Sequence, residues 1–169
     1  MTRAEAQQEP RSDRLGRLYS EHAPAAMRLA FLLTGERGRA EDLVQDAFVR
    51  IAGRFGHLRI RRSFASYLNR TIVNLARDKG RRSRLEREHR AVPEIETIEQ
   101  PDLELKDQLL AALRELPARQ RAAVVLRYYQ DLSEQQVADA LDVSISAAKS
   151  LITRGMATLR QNIGGVDRE

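Results

Sequence analysis

Near the C-terminus, short hydrogen-bonding side chains and two cations recur at spacings that place them on one face of a helix. Such side chains can approach base edges closely, and cations can contact phosphate or guanine. The pattern predicts a DNA-binding surface, with an ordinary helical hairpin as the alternative. This surface consists of Ser146, Ala147, Lys149, Ser150, Thr153 and Arg154.

Two helix starts position this surface and are separated by one short turn. Ser133 and Gln136 fit a capping box, in which a serine and a glutamine exchange hydrogen bonds with the backbone of the first turn. Ser144 is a second N-cap candidate. Apolar residues at spacings of three and four follow each cap. Two short helices joined in this way form a helix-turn-helix, whose second helix enters the DNA major groove.

A second polar surface lies on a predicted helix in the first half of the chain. Ser63 is expected to cap this helix, and Phe64, Leu68, Ile72 and Leu75 form its buried stripe. The opposite side carries two amides and two guanidiniums, which suit contacts to bases and phosphates. This second surface consists of Asn69, Arg70, Asn74 and Arg77. The basic segment 77–84 that follows suits phosphate contacts without sequence preference.

A helix expected from Arg39 to Phe55 carries an acidic strip within an otherwise basic region. The strip consists of Glu41, Asp42, Gln45, Asp46 and Arg50. From the pattern alone, a solvated face is the simplest interpretation. Asp42 and Asp46 lie one helical turn apart and could hold Mg²⁺ in an enzyme acting on nucleic acid. Further carboxylates at a comparable site are not evident in the sequence.

Charge and composition limit the classes of function. The net charge of +5 divides into +9 over residues 1–92 (20 Lys and Arg against 11 Asp and Glu), −5 over 93–107 (1 against 6) and +1 over 108–169 (8 against 7). A basic first part attracts polyanions. The absence of cysteine excludes disulfides and thiolate zinc sites. No cofactor, metal or membrane span is expected, and the polar N-terminus favours a soluble, cytoplasmic protein.

The helical periodicity predicts an all-α protein with two small helical domains joined by a flexible linker. We expect a disordered N-terminus at 1–13, a first domain at 14–85, an acidic linker at 86–102, a second domain at 103–162 and a tail at 163–169. Pro24 is expected to kink or restart the first helix. A basic loop, 56–62, precedes the third helix. About 16 extended linker residues could span ~55 Å.

Three motifs resemble the extracytoplasmic-function (group 4) sigma factors of bacterial RNA polymerase. The segment Ala40–Phe48 is similar to region 2.2, Ser63–Asp78 to regions 2.3 and 2.4, and Leu113–Leu159 to region 4. The resemblance covers about 15–85 and 103–160. It implies a region 2-like bundle of three or four helices and a region 4-like helix-turn-helix domain. The implied function is to bind core polymerase, recognise −35 and −10 promoter elements and melt the −10 region, without enzymatic activity.

The resemblance also implies roles for individual residues. Core polymerase would bind through its β′ clamp and β flap, and the acidic strip suits a basic partner helix. An anti-sigma factor could bind between the two domains. The residues implied for the β′ clamp are Asp42, Gln45, Asp46, Phe48 and Val49. Those implied for double-stranded and melted −10 DNA are Arg59, Arg61, Arg62, Tyr67, Asn69, Arg70, Asn74, Arg77, Lys79, Arg81 and Arg82. Those implied for the −35 element are Ser144, Ser146, Ala147, Lys149, Ser150, Thr153 and Arg154.

Some residues depart from the family pattern. Asp142 stands at the helix-turn-helix turn where glycine is frequent, and aspartate tolerates the left-handed conformation at some cost. Tyr67 stands where tryptophan is frequent, and Ala148 and Leu151 replace a bulkier apolar and a basic residue. The alternative from another class is a helix-turn-helix regulator with an N-terminal sensing domain. That class would need an apolar pocket or a phospho-acceptor site in the first half, and the sequence indicates neither.

Overall fold

The protein is described here by a computed structural model that covers residues 11–54, 64–86 and 103–164. These residues form helices joined by short turns, and no strand occurs in the three ranges. The all-α prediction is therefore confirmed. The helices are α1 Arg11–Thr34, α2 Arg37–Arg54, α3 Phe64–Glu86, α4 Leu103–Glu115, α5 Ala118–Val124, α6 Glu134–Leu141 and α7 Ile145–Gly164, with a π-helical turn Val125–Tyr129 directly after α5.

Helices α1, α2 and α3 form the N-terminal unit. The stripe predicted on α2 is buried, since Leu43, Ala47 and Ile51 are at most 1% exposed. All four apolar residues predicted for the stripe of α3 are buried as well. Between α1 and α2 the chain turns at Gly35, whose φ of +74° is a conformation that glycine adopts without steric cost. Apolar spacing therefore predicted the core of this unit correctly.

The first helix passes through Pro24 without ending. Proline removes one backbone donor, so a kink or restart was expected there. Helix α1 instead runs unbroken from Arg11 to Thr34, with Pro24 on its exposed side. Ala26, Leu29 and Ala30, which follow the proline, are at most 2% exposed. Their burial against α2 and α3 offsets the missing hydrogen bond. The helix also includes residues 11–13 of the expected disordered terminus.

Helices α4 to α7 and the π turn form the C-terminal unit. The capping box is present: Gln136 N–H donates to Ser133 Oγ over 3.2 Å, and Ser133 N–H donates to Gln136 Oε1 over 2.8 Å. Asp142 adopts the left-handed conformation with φ 56°. Gly155 lies on α7 where it crosses α5. A Cβ there would be 2.6 Å from Val124 Cγ2, so only glycine allows this close approach.

The π turn changes which residues of the C-terminal unit reach the core. Val124 and Val125 are buried, whereas Tyr128 and Tyr129 are 59% and 44% exposed. A π turn holds an extra residue compared with an α turn, and it rotates the positions that follow. Gln130 N–H closes this turn by donating to Val125 O over 3.1 Å.

The two units pack against each other. Helices α1 and α3 of the N-terminal unit contact α5 of the C-terminal unit, and α3 also contacts α6. The flexible linker expected at 86–102, apart from Glu86 at the end of α3, and the terminal residues 1–10 and 165–169 lie outside the described ranges. Within those ranges, no helix combines the length and the hydropathy that a membrane span requires.

Candidate nucleic-acid and polymerase interfaces

The first predicted polar surface lies on α7 and consists of Ser146, Ala147, Lys149, Ser150, Thr153 and Arg154. This α7 face is open to solvent on the outside of the C-terminal unit. Ser144 caps the helix, because its Oγ accepts the Ala147 N–H over 3.2 Å. Ala148 is buried on the inner side and anchors the helix. Of the six residues in the α7 face, Ser146, Lys149, Thr153 and Arg154 are exposed, and Ala147 and Ser150 are half-buried. The geometry therefore presents the predicted hydrogen-bonding groups to solvent.

Lys149 is tethered to the other helix of the helix-turn-helix. Its Nζ lies 3.3 Å from Glu134 Oε2 at the start of α6, and the two side chains are 57% and 47% exposed. Exposed ion pairs of this type contribute little stability. Lys149 can therefore exchange Glu134 for a phosphate at little cost.

The acidic strip of α2 is open over most of its length. Asp42, Gln45 and Asp46 are exposed, and Val49 beside them is 71% exposed. Asp46 Oδ2 lies 2.7 Å from Lys79 Nζ on α3, so the strip meets one of the cations predicted for −10 DNA. An exposed valine next to carboxylates is a combination suited to a partner surface with both apolar and basic groups.

Phe48 does not belong to this open surface. It is 6% exposed, and its ring lies 4.7 Å from that of Tyr19, edge to face, and 6.1 Å from that of Phe64. The prediction that Phe48 itself contacts a partner disagrees with its burial. The resemblance implied this role for Phe48, but its ring fills the space between α1 and α3. Phe48 therefore packs in the core beneath the acidic strip.

The second predicted polar surface lies on α3 and consists of Asn69, Arg70, Asn74 and Arg77. This α3 face is partly covered by the C-terminal unit. Asn69 is 9% exposed, and its Nδ2 donates to Gln130 Oε1 over 3.4 Å. Arg70 Nη2 donates to Asp142 Oδ1, also over 3.4 Å. Asn74 and Arg77 are half-buried, as is Tyr67 on the same helix. In this conformation Asn69 is closed to bases, while Arg70, Asn74 and Arg77 remain partly exposed.

Several residues predicted for −10 DNA lie outside the described part of the structure. The loop 56–62, which contains Arg59, Arg61 and Arg62, lies outside the described residues. Arg81 and Arg82 fall on the last turns of α3, where the side chains are not described. Among the residues that are described, no cluster of three or more metal-ligating side chains occurs.

Two arginines that the sequence pattern did not single out join the units. Arg121 Nη1 donates to Leu33 O over 2.7 Å, and Arg114 Nη2 donates to Gly35 O. Both acceptors lie at the end of α1, which has no basic residue in its own last turn. Helix C-termini favour cations, so this missing charge was a weak signal in the sequence that a cation comes from elsewhere.

Comparisons with known proteins agree with the resemblance of the three motifs. A model of Sigma-70 region 2 matches residues 18–86, and a model of Sigma-70 region 4 matches residues 106–159. The RNA polymerase sigma-E factor of Streptomyces avermitilis is 31% identical over 152 residues, covering 85% of this chain and 81% of that protein. The ECF RNA polymerase sigma factor SigE of Mycolicibacterium smegmatis is 35% identical over 154 residues, covering 85% of this chain and 59% of that protein.

The fold also matches solved structures across both units. The sigma factor RpoE of Bartonella quintana, in complex with the anti-sigma factor NepR, matches with a TM-score of 0.75 and 23% identity, covering 92% of this chain and 99% of that chain. The structure of CnrH in complex with the cytosolic domain of CnrY gives a TM-score of 0.70 and 21% identity, covering 91% of this chain and 90% of that chain.

Proposed function

The chain belongs to the sigma-70 family, as an RNA polymerase sigma factor of the extracytoplasmic-function type, and we propose that its two units divide promoter reading between them. Its partners are core RNA polymerase and promoter DNA. The observation that carries the division is that each unit has its own polar helix face, one on α7 and one on α3. A regulator with a sensing domain is not favoured, because the N-terminal unit matches sigma region 2.

In this proposal the C-terminal unit reads the −35 element through α7. The support is the exposure of the α7 face together with the capped start at Ser144, which fixes the direction of the helix. Ser146 and Thr153 suit hydrogen bonds to base edges, and Lys149 and Arg154 suit phosphate or guanine. Few strong base contacts are available on this helix, so polymerase must supply part of the affinity.

The N-terminal unit is proposed to read and melt the −10 element. The α3 face offers amides and guanidiniums, and the basic loop 56–62 precedes it in the sequence. Unstacking a base costs a few kcal/mol, which pocket and stacking contacts to the unpaired base offset. Tyr67 is half-buried and leaves part of its ring for such stacking. Binding energy drives melting in this scheme, and no catalytic residue is needed.

The acidic strip is proposed to dock on the β′ clamp of core polymerase. Asp42 and Gln45 are exposed, and Val49 adds an exposed apolar side chain next to them. Acidic groups in a basic unit suit a basic partner helix and would repel DNA. The C-terminal unit would meet the β flap. The holoenzyme would act in the cytoplasm on nucleoid DNA, and an anti-sigma factor is a further proposed partner.

Reconstitution with core polymerase tests the proposal. The purified chain should co-elute with core polymerase and direct run-off transcription that depends on both promoter elements. Asp42→Lys should lower the affinity for core polymerase by about 100-fold, because like charges brought together cost several kcal/mol. Glu115→Lys on α4 makes the same charge change on an exposed residue of the other unit and should leave the affinity unchanged. Failure of the wild-type chain to bind core polymerase would refute the sigma assignment.

A further inference from the structure

The two cations of the α7 face differ in their surroundings. Lys149 Nζ lies 3.3 Å from Glu134 Oε2 on α6, whereas no carboxylate among the described residues forms an ion pair with Arg154. Both cations are exposed. The face therefore presents one cation that is paired within the protein and one for which the described residues supply no carboxylate.

Glu134 holds a fixed position beside the α7 face. It lies in the first turn of α6, directly after Ser133, whose capping box with Gln136 begins the helix. The helix dipole favours a carboxylate in a first turn. Helices α6 and α7 pack against each other, so the fold of the helix-turn-helix keeps Glu134 within reach of Lys149.

This ion pair matters more for DNA than for stability. The side chains of Lys149 and Glu134 are 57% and 47% exposed, and pairs exposed to this degree contribute little to folding. A lysine ammonium has three donors, and the carboxylate engages at most one of them in a pair of this geometry. The remaining donors can reach acceptors outside the protein, such as O6 and N7 of guanine in the major groove.

Phosphates and guanine make different demands on the pair. A phosphate competes with Glu134 for Lys149, because both are anions. If Lys149 moves to a phosphate, Glu134 is left unpaired close to DNA, where like charges repel. The acceptors of guanine are uncharged, so Lys149 can donate to them while it keeps Glu134. The intact pair also has no net charge and adds nothing to the electrostatic attraction that drives non-specific binding.

We propose that Glu134 is a positioning residue for −35 recognition, which withholds Lys149 from phosphates and leaves it to donate to guanine in one base pair. The proposal rests on the assignment of the α7 face to −35 DNA and adds to it a residue from outside that face. Arg154 supplies the sequence-independent phosphate contact. The two cations of α7 thus divide affinity and specificity between them.

Two DNA probes in a binding assay with holoenzyme test this role. Both probes are duplexes with the −10 block that wild-type holoenzyme selects from a random pool, so α7 meets the upstream block in the same register. One probe carries the −35 block selected in the same way, and the other carries that block scrambled. Fluorescence anisotropy at several salt concentrations gives the affinity for each probe and its salt dependence.

Glu134→Gln keeps the size of the side chain and removes its charge, which releases Lys149 to phosphates. Affinity for the scrambled probe should rise about fivefold, and the slope of log affinity against log salt should steepen by about one. Affinity for the selected probe should rise by less than about twofold, so the preference between probes falls by about threefold. Glu134→Asp keeps the carboxylate and should restore most of this preference.

Glu115→Gln is the matched control for the loss of one negative charge. Glu115 is exposed at the end of α4. Helix α4 meets the far end of α7, where Asn162 Nδ2 donates to Ala112 O over 3.4 Å. This variant should bind both probes as the wild type does. An equal loss of preference in Glu115→Gln and Glu134→Gln would reduce the effect to overall charge and overturn the proposal.

A second background separates action through Lys149 from direct repulsion between Glu134 and DNA. In a Lys149→Gln chain, Glu134→Gln should steepen the salt dependence by less than half as much as in the wild-type chain. Equal steepening in the two backgrounds would show that Glu134 acts on DNA directly, and the positioning role would be wrong.

The positioning role and the proposed function give different failures. If wild-type holoenzyme does not prefer the selected −35 block to the scrambled one, the assignment of α7 to −35 DNA is wrong. If the wild type has this preference and Glu134→Gln retains it in full, the assignment of α7 stands and the role of Glu134 is refuted.

Discussion

The α7 face and the α3 face carry similar chemistry in opposite surroundings. Both offer hydrogen-bonding side chains and two cations on one side of a helix. The α7 face is open, with Thr153 and Arg154 exposed, whereas the α3 face is partly covered and Asn69 within it is 9% exposed. If the two faces read the promoter as proposed, the −35 face is accessible to DNA in this conformation, whereas Asn69 of the −10 face is not.

The largest expected effect comes from removing both cations of the α7 face. Replacing Lys149 and Arg154 by alanine should weaken binding of the holoenzyme to −35 duplex DNA by about 100-fold, since each base or phosphate contact is worth about 1–3 kcal/mol. If the cations contact phosphates, the salt dependence of binding should also fall by about one unit per cation. Filter binding at several salt concentrations measures both quantities. An unchanged affinity for −35 DNA would contradict the role proposed for this face.

A glycine under the α7 face allows a second test. Gly155→Ala should destabilise the protein by about 1–3 kcal/mol, because the added Cβ would lie 2.6 Å from Val124 Cγ2 and force α7 away from α5. Gly16→Ala on α1 is the matched control. An added Cβ at Gly16 meets nothing within 4 Å, so alanine there should stabilise the helix by about 0.5–1 kcal/mol. Urea unfolding gives both values, and equal effects at the two glycines would contradict the close packing of α7.

The α3 face predicts a mutation with two effects. Asn69→Ala removes a proposed −10 contact and also the hydrogen bond to Gln130. The free energy of unfolding should fall by about 1 kcal/mol, and discrimination at one −10 position should fall by about tenfold. Urea unfolding and a set of single-base promoter variants separate the two effects. If Asn69→Ala changed neither, the α3 face would have no part in either contact.

The smallest expected effect distinguishes Ser144, which caps the start of α7, from Ser146, which is proposed to contact DNA. Ser144→Ala should lower the free energy of unfolding by about 1 kcal/mol, because the Ala147 N–H loses its acceptor. Ser146→Ala should leave stability unchanged, since this side chain is exposed, but should weaken −35 binding. Equal losses of stability at both positions would mean that the cap does not hold the helix start.

Local patterns predicted most of the helices because their causes are local. Apolar spacing gave the buried stripes of α2 and α3, and the capping box of Ser133 and Gln136 depends on residues three apart. The covering of the α3 face was not predictable in this way. It depends on partners such as Gln130, which lies 61 residues from Asn69 in the sequence. Helical spacing says which side chains share a face, and it does not say what that face will meet.

Side-chain direction was a second limit of the sequence. Phe48 and Val49 are neighbours on the edge of the acidic strip, yet one is 6% and the other 71% exposed. The aromatic ring of Phe48 on α2 packs between Tyr19 of α1 and Phe64 of α3. This contact forms only when all three helices are packed together. Of the five residues predicted to bind polymerase, Phe48 is therefore buried beneath the surface that the other four form.

The π turn after α5 sets the angular register of everything that follows it. Each residue of an α-helix advances the chain by about 100°, so one extra residue in a turn offsets all later positions by about that angle. Gln130, which closes the π turn, is the residue that meets Asn69. Deleting one residue from Val125–Tyr129 would convert the turn to an ordinary α turn and swing Gln130 away from α3. The length of this single turn thus determines whether Gln130 faces Asn69 of α3.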